Sequence, residues 1–534
     1  MILSCKTIGT CLAERARHTP DEISIIFEDV SYTWNELDKI SDYMAYRMHT
    51  FGITQGTHVG IWSVNNPNWI IVFLSLQKLG ALPILINTCY REKELKEILQ
   101  FAHVEYLYYG DVYKDIHYSD IVEAIKKENA CNIKKWLFIG KDRTGSWLNF
   151  NSFVSSEKTK KAYGITKGLQ SKVKSDSNAC MLFTSGTTSQ SKGVLLTHDN
   201  IVNSALATIH HMQWTKDDRM CVTVPMFHCF GVTSSLLTTI LLGSTMCILP
   251  YYKTINVLNC IQKHQCTIIN GVPSMFLAML RNEHFKEYDL SSLKSGIVAG
   301  SPLPPEDYLT ICSQIPSLNL IPSYGQTETS PAVTFSLTSD PVEKRAMSVG
   351  KVIEGVEIQI ADNEEDSLLP VGEAGEIMVR GYNVMNGYYN MPDETKQTLT
   401  TSGWLRTGDM GFLDAEGYLH INGRKKDIII RAGENISPHE IEDYIKKIPW
   451  IEQAVVIGVP AEVIQEEIVG CLVLKKGETL HEEYIRQYLA SRIAHYKIPV
   501  RFLEFQEFPM NSSGKVKLAE VKSIAIKRLN QSDK

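Results

Sequence analysis

Residues 179–212 read ACMLFTSGTTSQSKGVLLTHDNIVNSALATIHHM and place a hydroxyl-rich turn between two apolar segments. The segments ACMLF and GVLLT have the length and apolar character of buried strands. After them, apolar residues recur at helical spacing from Ile201 to Met212, with Thr197 or Asp199 available as the N-cap. The stretch therefore predicts a strand, a loop, a second strand and a helix, in that order.

The same alternation of short apolar runs with longer helical patterns is found before this stretch and continues after it to about residue 300. Runs such as HVGIWSV and ALPILIN alternate with the helical pattern WNELDKISDYMAYRMHTFG, which is typical of parallel sheets covered by helices. From about residue 340 to 424, short strands broken by Gly, Pro and Asp indicate a compact β unit. Mixed strand and helix signals after GRKKD predict a small α+β domain with its hinge near Lys426.

Length and composition bound the class of protein. A chain of 534 residues exceeds what one hydrophobic core supports, so several domains are expected. The 44% hydrophobic and 21% charged residues are ordinary for globular domains, and the net charge of -6 is mild. Lysines are scattered among acids without a basic stripe, so no nucleic-acid partner is expected.

The cysteines and the apolar segments indicate where in the cell the protein is expected. The twelve cysteines contain no CxxC pair, which predicts reduced, buried thiols and a cytoplasmic location. The N-terminus has no long apolar signal core. The charge-free residues 231–250 contain two glycines and seven Ser or Thr residues. They are therefore interpreted as a buried helix, a turn at Gly243 and a strand, and no integral membrane segment is predicted.

The chemistry of the hydroxyl-rich loop is ambiguous from composition alone. A Walker loop is absent, because Lys192 precedes Gly193 and the chain continues as a strand. Glycines, hydroxyls and a lysine nevertheless suit a phosphate group, since backbone N–H groups can approach the anion and lysine supplies charge. A solvated Ser/Thr-rich turn is equally consistent with this composition.

The order TSGTT…KG resembles the phosphate loop of the adenylate-forming superfamily, which comprises acyl-CoA synthetases, firefly luciferase and peptide-synthetase adenylation domains. Further motifs follow in the order of that superfamily: PMFHCFG, SYGQTE, GEAGEIMVRGYNVMNGYYN, WLRTGD, GRKKDIIIRAGENISPHEIE and FPMNSSGK. One such motif is weak, but this many in order, along nearly the whole chain, is specific. The resemblance is to the acyl-CoA synthetase branch.

This resemblance implies an α/β fold with a large N-terminal domain, residues 1–424. That domain would consist of two doubly wound α/β subdomains and a small β-barrel-like subdomain at about 340–424. A small mobile α+β C-terminal domain, residues 425–534, would follow. Because the second domain of this superfamily rotates between half-reactions, Lys426 is the expected pivot.

The reaction that the resemblance implies is the ATP-dependent activation of a carboxylic acid, fatty or aryl, to an acyl-adenylate with release of pyrophosphate. Transfer to the thiol of coenzyme A would then give acyl-CoA and AMP, with ATP, Mg²⁺ and coenzyme A as cofactors. One alternative is the loading of the phosphopantetheine of an acyl carrier protein. Another is a catalytically silent nucleotide-binding scaffold.

The resemblance assigns nucleotide contacts residue by residue. The loop residues that would hold the β- and γ-phosphates are Thr184, Ser185, Gly186, Thr187, Thr188 and Lys192. Tyr324 would stack on adenine, and Gly300 and Ser301 would lie on the adenine side. Thr327 would contact the α-phosphate, and Glu328 would hold Mg²⁺, a hard ion suited to one carboxylate plus phosphate oxygens.

Two assigned residues lie in the WLRTGD and GRKKD motifs. Asp409 would accept hydrogen bonds from both ribose hydroxyls, and Arg424 would join it there. Lys515 would reach the α-phosphate and the carboxylate and offset the charge that develops as the bond forms. Gly433 would line the pantetheine passage, because the lack of a side chain allows close approach.

Substrate class follows from one difference within the superfamily. Amino-acid-activating members place an aspartate where this chain has His228, and an uncompensated ammonium group is costly to bury. A non-amino acid is therefore expected, with His228 gating the acyl site. Ser189, Ser191 and Gln465 depart from the common pattern of Gly, Pro and Gly, which puts the rigidity of those loops in doubt.

Overall fold

The computed structural model describes residues 3–129, 131–141, 156–184, 191–362, 367–431, 434–461, 465–490, 492–493, 497–511 and 515–532. Among the calls made from sequence, those on Ser185, Gly186, Thr187, Thr188, Ser189 and Gly433 lie outside these residues. The chain divides into a first unit, Met1–Ile358 with Val379–Leu405, and a second unit, Gln359–Met378 with Arg406–Lys534.

The first unit contains a nine-stranded sheet. Its strands, in spatial order, are Lys351–Val352, Thr334–Phe335, Asn319–Tyr324, Ser295–Val298, Ile268–Ile269, Arg219–Val222, Thr245–Ile248, Ile23–Phe27 and Val30–Thr33. The six strands from Asn319–Tyr324 to Ile23–Phe27 run parallel, and antiparallel strands flank them at both edges. Parallel strands of this kind require long crossover connections.

The first unit also contains a second sheet, which has seven strands. Its strands, in spatial order, are Gly387–Tyr388, Lys192–Thr197, Asn178–Thr184, Leu82–Leu85, His58–Trp62, Tyr106–Tyr109 and Lys135–Phe138. Thr184 and Lys192 are register partners in the antiparallel pair that bounds the hydroxyl-rich loop. The prediction that this loop joins two strands is therefore confirmed.

Helices precede, connect and follow these strands. In the first unit they are Ile8–His18, Trp34–Thr50, Pro67–Leu79, Glu92–Phe101, Tyr118–Glu128, Ser156–Gln170, His198–Met212, Thr254–His264, Pro273–Leu280, Pro305–Gln314, Val342–Ala346 and Pro392–Thr398. Thr197 caps the helix that follows the loop, because its Oγ1 accepts from the N–H of Asn200 at 3.1 Å. Asn200 returns the contact by accepting from the N–H of Thr197 at 2.8 Å. Of the two predicted caps, Thr197 is the one that is used.

Residues 231–250 fold as predicted. A buried helical run comprises Cys229–Gly231, the wider-turned segment Val232–Leu237 and Thr238–Leu242. Gly243 then adopts a left-handed φ of 80°, and the strand Thr245–Ile248 follows. Throughout the part of the chain that the structure describes, no helix combines the length and apolar composition that crossing a bilayer requires.

A buried asparagine joins the two sheets of the first unit. Asn65 follows the strand His58–Trp62 and is 3% exposed. Its Nδ2 donates to the carbonyl of Val224 at 3.0 Å, and its Oδ1 accepts from the N–H of Met226 at 2.8 Å. Because a buried amide is costly unless it is paired, these bonds fix the start of the PMFHCFG segment.

The second unit is an α+β structure. A four-stranded sheet, most of which belongs to this unit, has the order Val356–Ala361, Gly375–Gly381, Leu405–Leu413 and Leu419–Arg424. A further sheet contains Glu434–Ile436, Ile429–Arg431, Gln465–Leu474, Ile451–Ala461 and Arg501–Phe505. Its helices are Pro438–Ile445, Glu482–Ala490 and Leu518–Ser532. The first two pack with one set of core residues and the third with another. The predicted α/β fold with a separate C-terminal domain is confirmed, whereas the boundary at residue 424 stays a prediction.

A buried carboxylate ties the helix Pro438–Ile445 to the strand Ile451–Ala461. Oε1 of Glu442 accepts from the N–H of Val456 at 2.9 Å, and its Oε2 lies 3.0 Å from Nδ1 of His439. Burial alone would raise the pKa of Glu442, but the hydrogen bond from His439 and the charge of Lys446 outweigh it and lower this pKa. Burial likewise opposes protonation of His439, yet the contact with Glu442 raises its pKa.

These opposite pKa shifts predict a pH window for local stability. The contribution of ionised Glu442 is present above its ordinary pKa of 4.5 and is lost as the pH falls. That of protonated His439 is present below its ordinary pKa of 6.5 and is lost as the pH rises through the raised value. We expect Glu442→Gln to lower the free energy of local opening by about 2 kcal/mol. The loss should be largest in the pH range where Glu442 is ionised and His439 is protonated. Hydrogen exchange of peptides covering residues 451–461 measures it, and a pH-independent loss would contradict it.

Candidate active site

The SYGQTE turn lies at the carboxyl end of the parallel strand Asn319–Tyr324. A Cβ built on Gly325 would lie 1.8 Å from the carbonyl oxygen of Pro331, so only glycine fits this position. The tight turn leads into the short helix Thr327–Thr329, where Thr327 and Glu328 are each 7% exposed. Open α/β sheets place their ligands at this edge, and the turn therefore presents a hydroxyl and a carboxylate at the expected place.

A tyrosine connects that carboxylate to the hydroxyl-rich loop. The phenol of Tyr388 donates to Oε1 of Glu328 at 2.9 Å. Nζ of Lys192 lies 4.7 Å from the centroid of the Tyr388 ring, which is cation–π distance. Burial, together with the negative charge of Glu328, raises the pKa of Tyr388, so its phenol stays protonated and keeps donating. Lys192, Tyr388 and Glu328 therefore form one contact chain.

Strand pairing explains this arrangement. Tyr388 lies opposite Val194 in the antiparallel pairing of Gly387–Tyr388 with Lys192–Thr197. Thr184 faces Lys192 on the other strand of the loop. Ser191, which replaces the more common proline, directly precedes the strand Lys192–Thr197. Sequence reasoning missed Tyr388, although this residue lies in the motif GEAGEIMVRGYNVMNGYYN.

The PMFHCFG segment contacts the SYGQTE turn. The thiol of Cys229 lies 3.7 Å from Oγ1 of Thr327. His228 precedes the helical run that starts at Cys229, and its Nδ1 accepts from the N–H of Phe230 at 3.3 Å. In the neutral ring the proton is therefore on Nε2. A Cβ on Gly231 would lie 2.2 Å from the carbonyl oxygen of Pro225, so glycine closes this segment tightly.

The predicted adenine-side residues follow adjacent parallel strands. Gly300 and Ser301 come shortly after Ser295–Val298, and Tyr324 ends the neighbouring strand Asn319–Tyr324. Gly300 has a φ of 93°, the left-handed region in which a side chain is strained. Both segments thus leave the sheet at the same edge as Thr327.

Ion pairs organise the predicted ribose site of the second unit. Asp409 and Arg424 are register partners, and Nε of Arg424 lies 3.0 Å from Oδ1 of Asp409. Asp409 is buried, whereas the Arg424 side chain is about half exposed. Glu376, which sequence reasoning missed, accepts from Nζ of Lys425 at 3.0 Å and from the N–H of Gly408 at 3.2 Å. An acid directly before the apolar run IMV of the strand GEIMVRG was the available signal.

Lys515 belongs to the second unit, where two hydrogen bonds pair its backbone with Asn511. Oδ1 of Asn511 accepts from the N–H of Lys515 at 2.8 Å, and the carbonyl of Lys515 accepts from the N–H of Asn511 at 2.7 Å. The residue is exposed. Lys426 lies in the short helix Lys425–Asp427, and Gln465 begins the strand Gln465–Leu474. The roles assigned to these residues stay predictions.

Comparison with known proteins agrees with this geometry. A family model described as AMP-binding enzyme matches residues 12–389, and one described as AMP-binding enzyme C-terminal domain matches residues 440–515. A putative acyl-CoA synthetase, YngI, from Bacillus subtilis (strain 168) is 33% identical over 98% of both chains. The mitochondrial medium-chain acyl-CoA ligase ACSF2 of Bos taurus is 30% identical over 99% of this chain and 89% of its own.

A solved structure agrees over a similar span. The o-succinylbenzoate CoA synthetase MenE from Bacillus subtilis, in complex with the acyl-adenylate intermediate OSB-AMP, has a TM-score of 0.80 and 26% identity. The match covers 97% of this chain and 99% of that one. The chain is an enzyme that belongs to the AMP-binding enzyme family.

Proposed function

We propose that this chain joins a carboxylic acid to AMP at the expense of ATP and then transfers the acyl group to the thiol of coenzyme A. The observation that carries this proposal is the contact chain from Lys192 through Tyr388 to Glu328. It joins a cation on the hydroxyl-rich loop to an anion on the SYGQTE turn, and this contact supports the proposal that the two segments act together in the first half-reaction. Membership of the AMP-binding enzyme family, with relatives named as acyl-CoA synthetases and ligases, supports it.

Activation is needed because a carboxylate resists nucleophiles, since its leaving group would be oxide. Attack of the carboxylate on the α-phosphorus of ATP releases pyrophosphate and gives an acyl-adenylate with a good leaving group. The thiol then displaces AMP. In this scheme Lys192 and Thr184 bind the β- and γ-phosphates, and Thr327 donates to the α-phosphate. Asp409 binds the ribose with Arg424 beside it.

Glu328 fits a Mg²⁺ ion. Its carboxylate is buried, and Oε1 accepts from a neutral phenol, so the contact leaves its charge in place. Hard oxygen donors of this kind suit Mg²⁺, which takes one or two carboxylates together with phosphate oxygens. When bound, the ion would offset charge on the phosphates. The residue that would hold it is Glu328.

The substrate in this proposal is a non-amino acid, fatty or aryl. His228 is the N-cap of the helical run from Cys229 to Leu242, and a helix N-terminus carries partial positive charge. That end repels an ammonium group and attracts a carboxylate. A neutral His228 with its proton on Nε2 adds a donor at the same end.

Carboxylate-dependent exchange of labelled pyrophosphate into ATP tests the activity. We expect exchange with at least one acid from a panel of fatty, aryl and short acids, and acyl-CoA formation when coenzyme A is added. Exchange without acyl-CoA formation, but with loading of a phosphopantetheinyl protein, would favour the carrier-protein alternative. If none of the acids supports exchange, the result would favour the alternative of a catalytically silent nucleotide-binding scaffold. A cytoplasmic location stays a prediction.

Tyr388→Phe is expected to weaken Mg²⁺ activation of the exchange reaction about 10-fold, because a phenol that orients a metal-binding carboxylate is lost. The ring that faces Lys192 remains in this variant. The concentration of Mg²⁺ that gives half-maximal exchange measures the effect. Tyr389→Phe is the matched control, since Tyr389 packs its ring against Phe101 and His58. Equal shifts in both variants would contradict the positioning role.

A further inference from the structure

Four cysteines meet in the hydrophobic core of the first unit, and the proposed reaction uses none of them. They are Cys221, Cys247, Cys260 and Cys266. The Sγ atoms of Cys221, Cys260 and Cys266 all lie within 4.8 Å of one another. Cys247 lies beside this group, as the register partner of Cys221 on the neighbouring strand. All four are at most 7% exposed.

The fold brings these residues together from separate elements. Cys221 and Cys247 are register partners in the parallel strands Arg219–Val222 and Thr245–Ile248, so their side chains lie on the same face. Thr254–His264 carries Cys260 and connects the second of these strands to Ile268–Ile269, on the far side of Arg219–Val222. Cys266 lies in the turn that ends this crossover. One strand–helix–strand unit and the strand it passes over therefore supply all four thiols.

We propose that Cys221, Cys247, Cys260 and Cys266 form a binding site for a thiophilic metal ion, with Zn²⁺ as the reference ion. Tetrahedral zinc with Zn–S distances of about 2.3 Å requires sulfur atoms about 3.8 Å apart, which small side-chain adjustments of Cys221, Cys260 and Cys266 reach from their spacing within 4.8 Å. In this proposal Cys247, in register with Cys221, turns its side chain to supply the fourth sulfur. Sulfur-only sites select Zn²⁺ over hard cations. Four protein ligands leave no open coordination position, so the ion is structural rather than catalytic.

Charge and proton balance are compatible with this site. Each thiol releases its proton to solvent when it binds, and four thiolates with Zn²⁺ carry a net charge of -2. The cationic residue Arg219 lies two positions before Cys221 at the start of the strand Arg219–Val222, and His264 ends the helix that carries Cys260. Arg219 also donates to the carbonyl of His264 at 3.2 Å, which holds the two side by side. Close packing alone explains one buried cysteine, but it does not require three sulfur atoms within 4.8 Å of one another and a fourth cysteine beside them.

Metal titration of the full-length protein tests the site. Reduced, chelator-treated protein is loaded with Zn²⁺ or Co²⁺, desalted and analysed for bound metal. We expect about one ion per chain, an ultraviolet thiolate-to-cobalt charge-transfer band with Co²⁺, and a rise in unfolding temperature of about 5 °C with Zn²⁺. Wild-type protein that retains no metal, or that binds Co²⁺ without this band, overturns the proposal.

Variants locate the binding residues. Cys260→Ala combined with Cys266→Ala is expected to lose the bound ion and the charge-transfer band. Cys471→Ala, which removes a buried thiol from the second unit, keeps both. Retention of the ion by the double variant overturns the proposal. If the double variant does not fold, the wild-type cobalt spectrum and the single variant Cys247→Ala give the same decision.

Discussion

Lys515→Ala is expected to lower carboxylate-dependent pyrophosphate exchange about 10³-fold, because the reaction loses a cation that offsets the charge on the α-phosphate and the carboxylate. Thioester formation from a supplied acyl-adenylate needs no such cation and should change less than about threefold. Lys515 is suited to this role because two hydrogen bonds with Asn511 hold its backbone while the residue remains exposed. Exchange assays and single-turnover thioester assays measure the two half-reactions separately.

Lys517→Ala is the matched control for this prediction. Lys517 lies two residues further along, its side chain is 52% exposed, and it pairs with Glu520 at 3.4 Å. An exposed pair of this kind contributes little to stability, so the control should retain both half-reactions. Equal loss of exchange and thioester formation in Lys515→Ala would contradict the proposed division between them. Loss of both half-reactions in the control would indicate that the backbone around Lys515 had been disturbed.

Local patterns predicted the parts of the fold that depend on neighbouring residues. The order of strand, loop, strand and helix in residues 178–212 followed from apolar run lengths and from helical spacing after Thr197. The helix, the turn at Gly243 and the strand of residues 231–250 followed from composition. Both are short-range properties, because hydrophobic periodicity and turn residues act within one element.

Contacts between distant segments were beyond the reach of these patterns. Tyr388 and Glu328 are 60 positions apart, and only the register of Gly387–Tyr388 brings the phenol to the carboxylate. Asn65 reaches Met226 across 161 positions. The family resemblance named Glu328 and Lys192, yet it gave no reason for them to share a partner. Such partners follow from sheet order, which a single sequence does not specify.

The buried cysteines show the same limit. Burial was predicted and holds for Cys221, Cys247, Cys260 and Cys266, whereas Cys5 is exposed. The absence of a CxxC pair had removed the usual sequence signal for a metal site. Their convergence arises from the parallel register of two strands and the crossover helix above them.

Glu328→Gln is expected to lower the rate of acyl-adenylate formation about 10²-fold, because glutamine keeps the shape of the side chain but removes its charge. An amide oxygen still accepts from the phenol of Tyr388, so the turn that follows Gly325 should be preserved. The effect should therefore appear in catalysis and not in thermal unfolding. Exchange rates measured over a range of Mg²⁺ concentrations report it, and the saturating response of the wild type should be lost.

Glu343→Gln is the control for this substitution. Glu343 is an exposed acid on the helix Val342–Ala346 of the same unit, so its replacement removes one negative charge without touching the SYGQTE turn. We expect wild-type exchange and a wild-type response to Mg²⁺ from this variant. If Glu328→Gln retained the wild-type rate and Mg²⁺ response, Glu328 would have no role in holding the ion. The buried pair of Tyr388 and Glu328 would then be a structural contact of the sheet edge.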